Sequence, residues 1–122
     1  IWGMKNFYGG EILIPKIPSF KVIDLIKAIK GDKKIKVIGI RKGEKLHEEM
    51  ITISDSLNTI ETNKYYFIIN ENPNLPKYYK NKFKSKFVNK NFSYSSDSNS
   101  KFLSIKQLKS ILKKYVVSKK SY

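Results

Sequence analysis

The sequence predicts a small α/β protein, reducing to α+β for the chain taken alone, and three observations carry that class. Val22, Leu25, Ile26 and Ile29 recur at i, i+3, i+4 and i+7, which is one face of a helix. A second helix is announced by a capping box, Ser104 with Gln107, ahead of the apolar stripe Leu108, Ile111, Leu112 and Tyr115. Between them lie short β-branched and aromatic runs of strand length, above all Tyr65 to Ile69 (YYFII).

Taken in order, residues 1–8 (IWGMKNFY) read as the last turns of a helix, with Gly9-Gly10 as its left-handed stop. Glu11 to Ile14 reads as a short strand closed by Pro15 and Pro18. The Val22–Lys30 helix follows and Gly31-Asp32 ends it; Ile23, near its start, has no side chain that can cap. Ile35, Val37 and Gly39 alternate with Lys36 and Ile38, which predicts a strand over Lys34 to Ile40. A turn comes next, then a short helical stretch near Lys45 to Met50. Tyr65 to Ile69 is expected to be buried on both faces. Asn70 to Lys90, with Pro73 and Pro76, reads as a lysine-rich polar connection, and Asn91 to Lys101 as a Ser/Asn-rich loop. Ser104 to Val116 is the clearest helix, with Leu103 and Leu108 placed to form a hydrophobic staple. No internal repeat is present.

With 122 residues the chain has room for one core. Its 40% hydrophobic content excludes a disordered polymer. No apolar run approaches the roughly 20 residues that span a bilayer, and nothing resembles a secretory signal. The absence of cysteine excludes disulfides and thiol chemistry and fits a reducing cytoplasm. The chain begins at Ile1, inside a helical pattern and without methionine, and is expected to be a piece of a longer protein.

A net charge of +15 ordinarily points to a polyanion partner. Here 24 lysines accompany one arginine, one alanine and 17 isoleucines, a joint bias that favours drift toward AT-rich codons, with lysine spread from Lys5 to Lys120. The segment KYYKNKFKSKFVNK (77–90) interleaves lysines with Tyr78, Tyr79, Phe83 and Phe87 and can be read as a base-stacking, phosphate-tracking strip. The plainer reading, favoured because no arginine or nucleic-acid motif accompanies it, tucks the aromatics onto the core and leaves the lysines in water.

Catalytic machinery is missing from the sequence. His47 stands alone, so no metal site is expected. There is no glycine-rich dinucleotide or phosphate loop and no supported Ser/His/Asp or Cys/His set. Arg41 is the exception. Where lysine is the default cation, a lone guanidinium after a strand-like run suggests a task that needs its planar fork, such as bidentate binding of phosphate or carboxylate. Gly43 lets a ligand approach the backbone, and Glu44 can accept hydrogen bonds from paired sugar hydroxyls. A surface turn with an Arg–Glu pair explains the same residues without function.

"GGEILIPKIPSFKVIDLIKAI" (9–29) followed by "IGIRKGEKLHEEMI" (38–51) resembles the C-terminal part of the configuration-inverting UDP-N-acetylglucosamine 4,6-dehydratases, soluble members of the extended short-chain dehydrogenase/reductase superfamily. "FSYSSDSNSKFLSIKQLKSIL" (92–112) resembles their closing segment. The resemblance implies the C-terminal substrate-binding lobe of a Rossmann-type, NADP-binding enzyme, with the Rossmann core missing. It divides the chain into a nucleotide-sugar lobe (1–69), a lysine-rich connection (70–91) and a closing loop with C-terminal helix (92–122). The implied chemistry passes hydride from C4 of the sugar to NADP, eliminates water across C5 and C6, and returns hydride at C6 with inversion at C5. The glycine-rich loop and the Tyr-x-x-x-Lys pair lie upstream, so no catalytic or cofactor-binding residue is expected in this chain, and the piece alone is expected to be inactive.

Carried over by position, Arg41 matches the arginine of the family's RPGE turn, which contacts the UDP diphosphate, and Glu44 matches the acid on the uridine ribose. Lys42 stands where the family usually has proline, next to Gly43. His47 and Glu48 are expected to support the turn or a subunit contact, and Lys16 and Ser19 to approach the sugar or neighbouring loops. The expected partner is UDP-N-acetylglucosamine or a related UDP-sugar, used in making pseudaminic acid or another surface glycan. The parent is expected to be a cytoplasmic homo-oligomer with no nucleic-acid or membrane partner. Two alternatives stay open: another nucleotide-sugar epimerase or dehydratase of the superfamily, and a small basic nucleic-acid-binding module.

Overall fold

The structure, a computed structural model, describes residues 2–31, 33–69 and 71–116. The expectations that touch Ile1, Asp32, Asn70 and residues 117–122, the end of the expected closing segment 92–122, lie outside the described residues at those positions. Helices α1 (Trp2–Asn6), α2 (Val22–Lys30), α3 (Asn74–Phe83) and α4 (Ile105–Tyr115) alternate with short strands β1 (Ile12–Pro15), β2 (Glu49–Ile51), β3 (Thr59–Glu61), β4 (Tyr65–Ile68), β5 (Lys86–Phe87) and β6 (Tyr94–Ser95). The chain forms two compact units, residues 1–17 with 49–95 and residues 18–48 with 96–122.

The first unit is built on an antiparallel sheet in the order β1-β4-β3-β5, with β2 and β6 pairing separately. The register sets Ile12 opposite Ile68 and Ile14 opposite Tyr66 between β1 and β4, and Ile60 opposite Phe67 between β3 and β4. Successive side chains of a strand point to opposite faces. Phe67 therefore joins Ile60, Ile69, Leu75 and Tyr79 on one side, while Tyr66 joins Ile14 and Ile51 on the other. This is the two-faced burial expected of the YYFII run. Trp2 of α1 stacks on Tyr65 with ring centroids 4.3 Å apart, and Phe67 meets Tyr79 at 4.3 Å. Phe67 and Tyr79, both fully buried, each contribute about 1.5–3 kcal/mol through removal of apolar surface from water.

Three expectations are corrected in this unit. Residues 70–90 are not only a connection: α3 lies there, presenting Leu75 and Tyr79 to the core with Phe83 packed beside them at a spacing of four. Pro76 is tolerated because it falls in the first helical turn, where its missing N–H would have had no helical partner. Residues near 45–50 are not helical; they run through a bend into β2, whose Ile51 is fully buried. The Ser/Asn-rich stretch 91–101 contains β6, paired with β2. Thr52 and Asp55 also exchange hydrogen bonds at the start of a 3-10 turn (Ser54–Asn58), Thr52 N–H donating to Asp55 Oδ2 at 3.0 Å and Asp55 N–H to Thr52 Oγ1 at 3.2 Å.

In the second unit α2 packs on α4. The helix α2 has the predicted limits, and Gly31 ends it at φ +68. Its N-cap is Lys21, which provides no side-chain bond; Lys21 C=O instead accepts from Asp24 N–H at 2.9 Å. The predicted stripe is half covered, with Val22 and Ile29 exposed. The capping box of α4 is formed as read, Gln107 N–H donating to Ser104 Oγ at 3.3 Å and Ser104 N–H to Gln107 Oε1 at 2.9 Å. Of its stripe only Leu108 is buried, while Ile111 and Tyr115 are exposed. Replacing Ser104 by alanine removes an acceptor and is expected to cost about 1 kcal/mol, read as a lower urea midpoint by helical circular dichroism.

The strand expected over 34–40 does not form. No described strand lies beside it, Gly39 turns the backbone to φ +82, and Val37, Ile38 and Ile40 are exposed. Among the described residues no helix is long and apolar enough to cross a membrane.

Candidate functional site

The turn at 41–44 is closed by its own backbone. Glu44 N–H donates to Arg41 C=O at 3.0 Å, and Gly43 in the third place has φ +88. With no positive φ at Lys42, this is a type II turn, whose third residue is normally glycine and whose second is often proline. The sequence thus has the required glycine and lacks the proline. Lys42→Pro pre-sets φ at the second place and is expected to stabilise the chain by about 0.4–1 kcal/mol, visible as a higher melting midpoint with unchanged circular dichroism.

Glu44 also folds its side chain back, accepting from Arg41 N–H through Oε2 at 2.9 Å. The Arg–Glu pairing is therefore a backbone clamp, not an ion pair: among the described residues the Arg41 guanidinium has no ion pair or hydrogen bond. All four residues of the turn are exposed. The arrangement holds a free guanidinium fork on a tight turn, next to a carboxylate whose second oxygen is still open to a donor.

The remaining candidates divide by unit. Glu48 lies beyond the turn and is tied by its backbone to Ser96, its N–H donating to Ser96 Oγ at 3.1 Å and its C=O accepting from Ser96 N–H at 2.8 Å. His47 is exposed and has no hydrogen bond to the described residues. Ser19 stitches its segment to the loop before α4: its N–H donates to Lys101 C=O, its C=O accepts from Leu103 N–H, and its Oγ accepts from Asn99 Nδ2 at 3.0 Å. Lys16 belongs to the first unit, where Nζ lies 2.6 Å from Glu61 Oε1 and 4.7 Å from the Tyr66 ring centre.

Sequence reading missed a buried polar centre in the first unit. Glu11, nearly buried, accepts from Tyr8 N–H at 2.6 Å and Gly9 N–H at 2.8 Å, and from the hydroxyl of fully buried Tyr79. Gly9 and Gly10, at φ +132 and +82, turn the chain so that both amides face the carboxylate. Burial pushes the Glu11 carboxyl up, but the hydrogen bonds from Tyr79, Tyr8 and Gly9 outweigh it and hold the group below its ordinary value. Tyr79 is raised, first by burial and then by its bond to Glu11. The glycine pair beside an acid was the available signal. Three of the four aromatics of 77–90 are likewise drawn inward, Tyr79 buried and Tyr78 and Phe83 packed beside the core, whereas Phe87 stays exposed against expectation.

Charge is unevenly shared. Residues 18–48 and 96–122 hold sixteen Lys/Arg against five Asp/Glu, whereas residues 1–17 and 49–95 hold nine against five. The lysines are thus less uniform than their spread along the sequence suggests, and the Arg41 turn sits in the more basic unit, whose field favours an anion.

The chain is a member of the polysaccharide biosynthesis protein family, whose profile matches residues 1–70. Over 116 residues it is 44% identical to UDP-N-acetylglucosamine 4,6-dehydratase (inverting) of Campylobacter jejuni subsp. jejuni serotype O:2, covering 88% of this chain and 34% of that protein. The protein of the same description from serotype O:23/36 is 41% identical, with the same coverage of each. The chain therefore spans about a third of the length of these curated relatives. The X-ray structure of Pen from Bacillus thuringiensis superposes with a TM-score of 0.63 at 28% identity, over 91% of this chain and 33% of that one. The resemblance carried by residues 9–29 and 38–51 is borne out by a match over 88% of the chain.

NADP, which the resemblance implies, does not fit the described residues. Helices α2, α3 and α4 start from Lys21, Pro73 and Ser104, so none opens on the glycine-rich turn that cradles a pyrophosphate.

Proposed function

We propose that this chain is the nucleotide-sugar-gripping part of an NADP-dependent UDP-N-acetylglucosamine 4,6-dehydratase that inverts C5 and serves pseudaminic acid or another surface glycan. In this reading NADP and the proton-transfer residues belong to the part of the enzyme with no counterpart here, so the chain has no dehydratase activity alone. The parent is a cytoplasmic homo-oligomer. Arg41 forks the diphosphate of the UDP-sugar, the open oxygen of Glu44 takes a ribose hydroxyl, and Gly43 leaves room between them. Lys42 adds charge beside the phosphates in place of a stiffer turn. His47, Glu48, Lys16 and Ser19 support the neighbourhood of the sugar.

The observation that carries this reading is the type II turn of 41–44. It presents the only arginine of the chain with no ion pair or side-chain hydrogen bond among the described residues, in a sequence 44% identical to proteins described as inverting dehydratases. Competition separates it from a basic nucleic-acid module. Heparin or duplex DNA should bind weakly, and UDP-N-acetylglucosamine should bind in a manner sensitive to Arg41→Lys. Tight, steeply salt-dependent DNA binding that ignores Arg41→Lys would refute the proposal.

A further inference from the structure

A cleft of about 490 Å³ lies in the first unit between α3 and the β3/β5 edge of the sheet. Ile60, Pro76 and Phe87 provide apolar lining, and Phe87 is 53% exposed at the sheet margin. Lys77 and Lys80, three residues apart on α3, with Ser85 and with Lys86 of β5, complete the wall.

The charge of that wall is largely uncompensated. The ammonium groups of Lys77 and Lys80 have no ion pair among the described residues. Lys86 reaches Glu61 Oε2 only at 3.7 Å, while the other oxygen of that carboxylate is held by Lys16 at 2.6 Å. No acidic side chain lines the cleft. Its volume is in the range of small-molecule sites, about 300–1,000 Å³. A free phosphate would satisfy only the ammonium groups and leave the apolar floor wet. A neutral alkyl group would cover the floor and leave the ammonium groups unpaired.

We infer that this cleft binds an amphipathic anion, with an acyl or similar apolar body on Ile60, Pro76 and Phe87 and a phosphate or carboxylate head among Lys77, Lys80 and Lys86. Lysine suits such a head as a mobile point charge that does not demand fork geometry. The assignment goes beyond the nucleotide-sugar reading, because no residue of the 41–44 turn lines the cleft.

The test is calorimetric titration of the full chain with octyl phosphate, octanoate, octyl glucoside and inorganic phosphate. Octyl phosphate or octanoate should bind at least tenfold more tightly than octyl glucoside or inorganic phosphate, and the stronger of the two identifies the head group. The Lys77→Gln/Lys80→Gln double variant, on exposed helix positions, should weaken that binding at least tenfold with circular dichroism unchanged. Phe87→Ser should weaken it about as much, and Arg41→Ala should leave it unchanged. Equal affinity for the charged and neutral octyl compounds, wild-type binding by the double variant, or absence of binding by both anions would each overturn the assignment.

Discussion

Replacing Arg41 with alanine in the full-length protein is expected to weaken UDP-sugar binding by about 2–4 kcal/mol, the scale for truncating one partner of a desolvated, hydrogen-bonded charge pair. At about 1.4 kcal/mol per decade this is roughly a 30- to 700-fold rise in Kd. The guanidinium makes no ion pair or hydrogen bond with the described residues and the turn is exposed, so the same variant should melt with the wild type. That separation distinguishes a ligand-binding arginine from a structural one. Arg41→Lys keeps the charge and loses the fork, and should fall between wild type and alanine. Full affinity in the alanine variant would remove the diphosphate role.

The second large effect is structural and lies in the other unit. Glu11→Ala leaves the buried Tyr79 hydroxyl and two part-buried backbone N–H groups without their acceptor, and is expected to cost about 2–4 kcal/mol, since a buried unsatisfied group costs about 1–3 and the N–H groups, being nearer water, add less. Chemical denaturation measures it directly. The pH dependence has a definite sign. The folded state holds the Glu11 carboxyl below its ordinary value, so its stabilisation is complete above the ordinary glutamate value of about 4.3 and is lost as pH falls through the lowered folded value. Tyr79 acts in the opposite direction. Its hydroxyl is raised in the fold, so its stabilisation is present below the ordinary tyrosine value of about 10 and is lost as pH rises beyond it. Glu11→Gln should flatten the acid limb and Tyr79→Phe the alkaline limb. An acid limb unchanged by Glu11→Gln would show that other carboxylates set it.

What the sequence made legible was local. Helix α2 and the α4 capping box depend on spacing within a few residues, and both appear where the pattern places them. The YYFII strand was readable because a run apolar at every position needs cover on both faces, and β4 has it. Helix α3 was hidden by its prolines and lysines. Its signal, Leu75, Tyr79 and Phe83 at intervals of four, was present but was outweighed by Pro76, which is harmless in a first turn. The 34–40 segment failed in the opposite way. Its alternation is genuine, but a strand exists only where another backbone takes up its N–H and C=O groups, and no described strand does so.

The site was legible in part for the same reason. The 41–44 turn is a four-residue object, and its glycine, arginine and glutamate could be assigned from neighbours alone. The back-folding of Glu44 onto the Arg41 N–H could not, because the same residues equally allow an ion pair. The Glu11 centre was out of reach because its closing partner, Tyr79, lies 68 residues away. Its chemistry depends on the sheet bringing those two segments together.

The central claim, that Arg41 forks a diphosphate, can be tested at one atom pair. The chain has one arginine, so its Nε–H gives one side-chain signal in a proton–nitrogen correlation spectrum. Titration with UDP should shift and sharpen that signal, and titration with uridine should leave it in place. A signal that stays fixed at millimolar UDP would contradict the diphosphate role of Arg41.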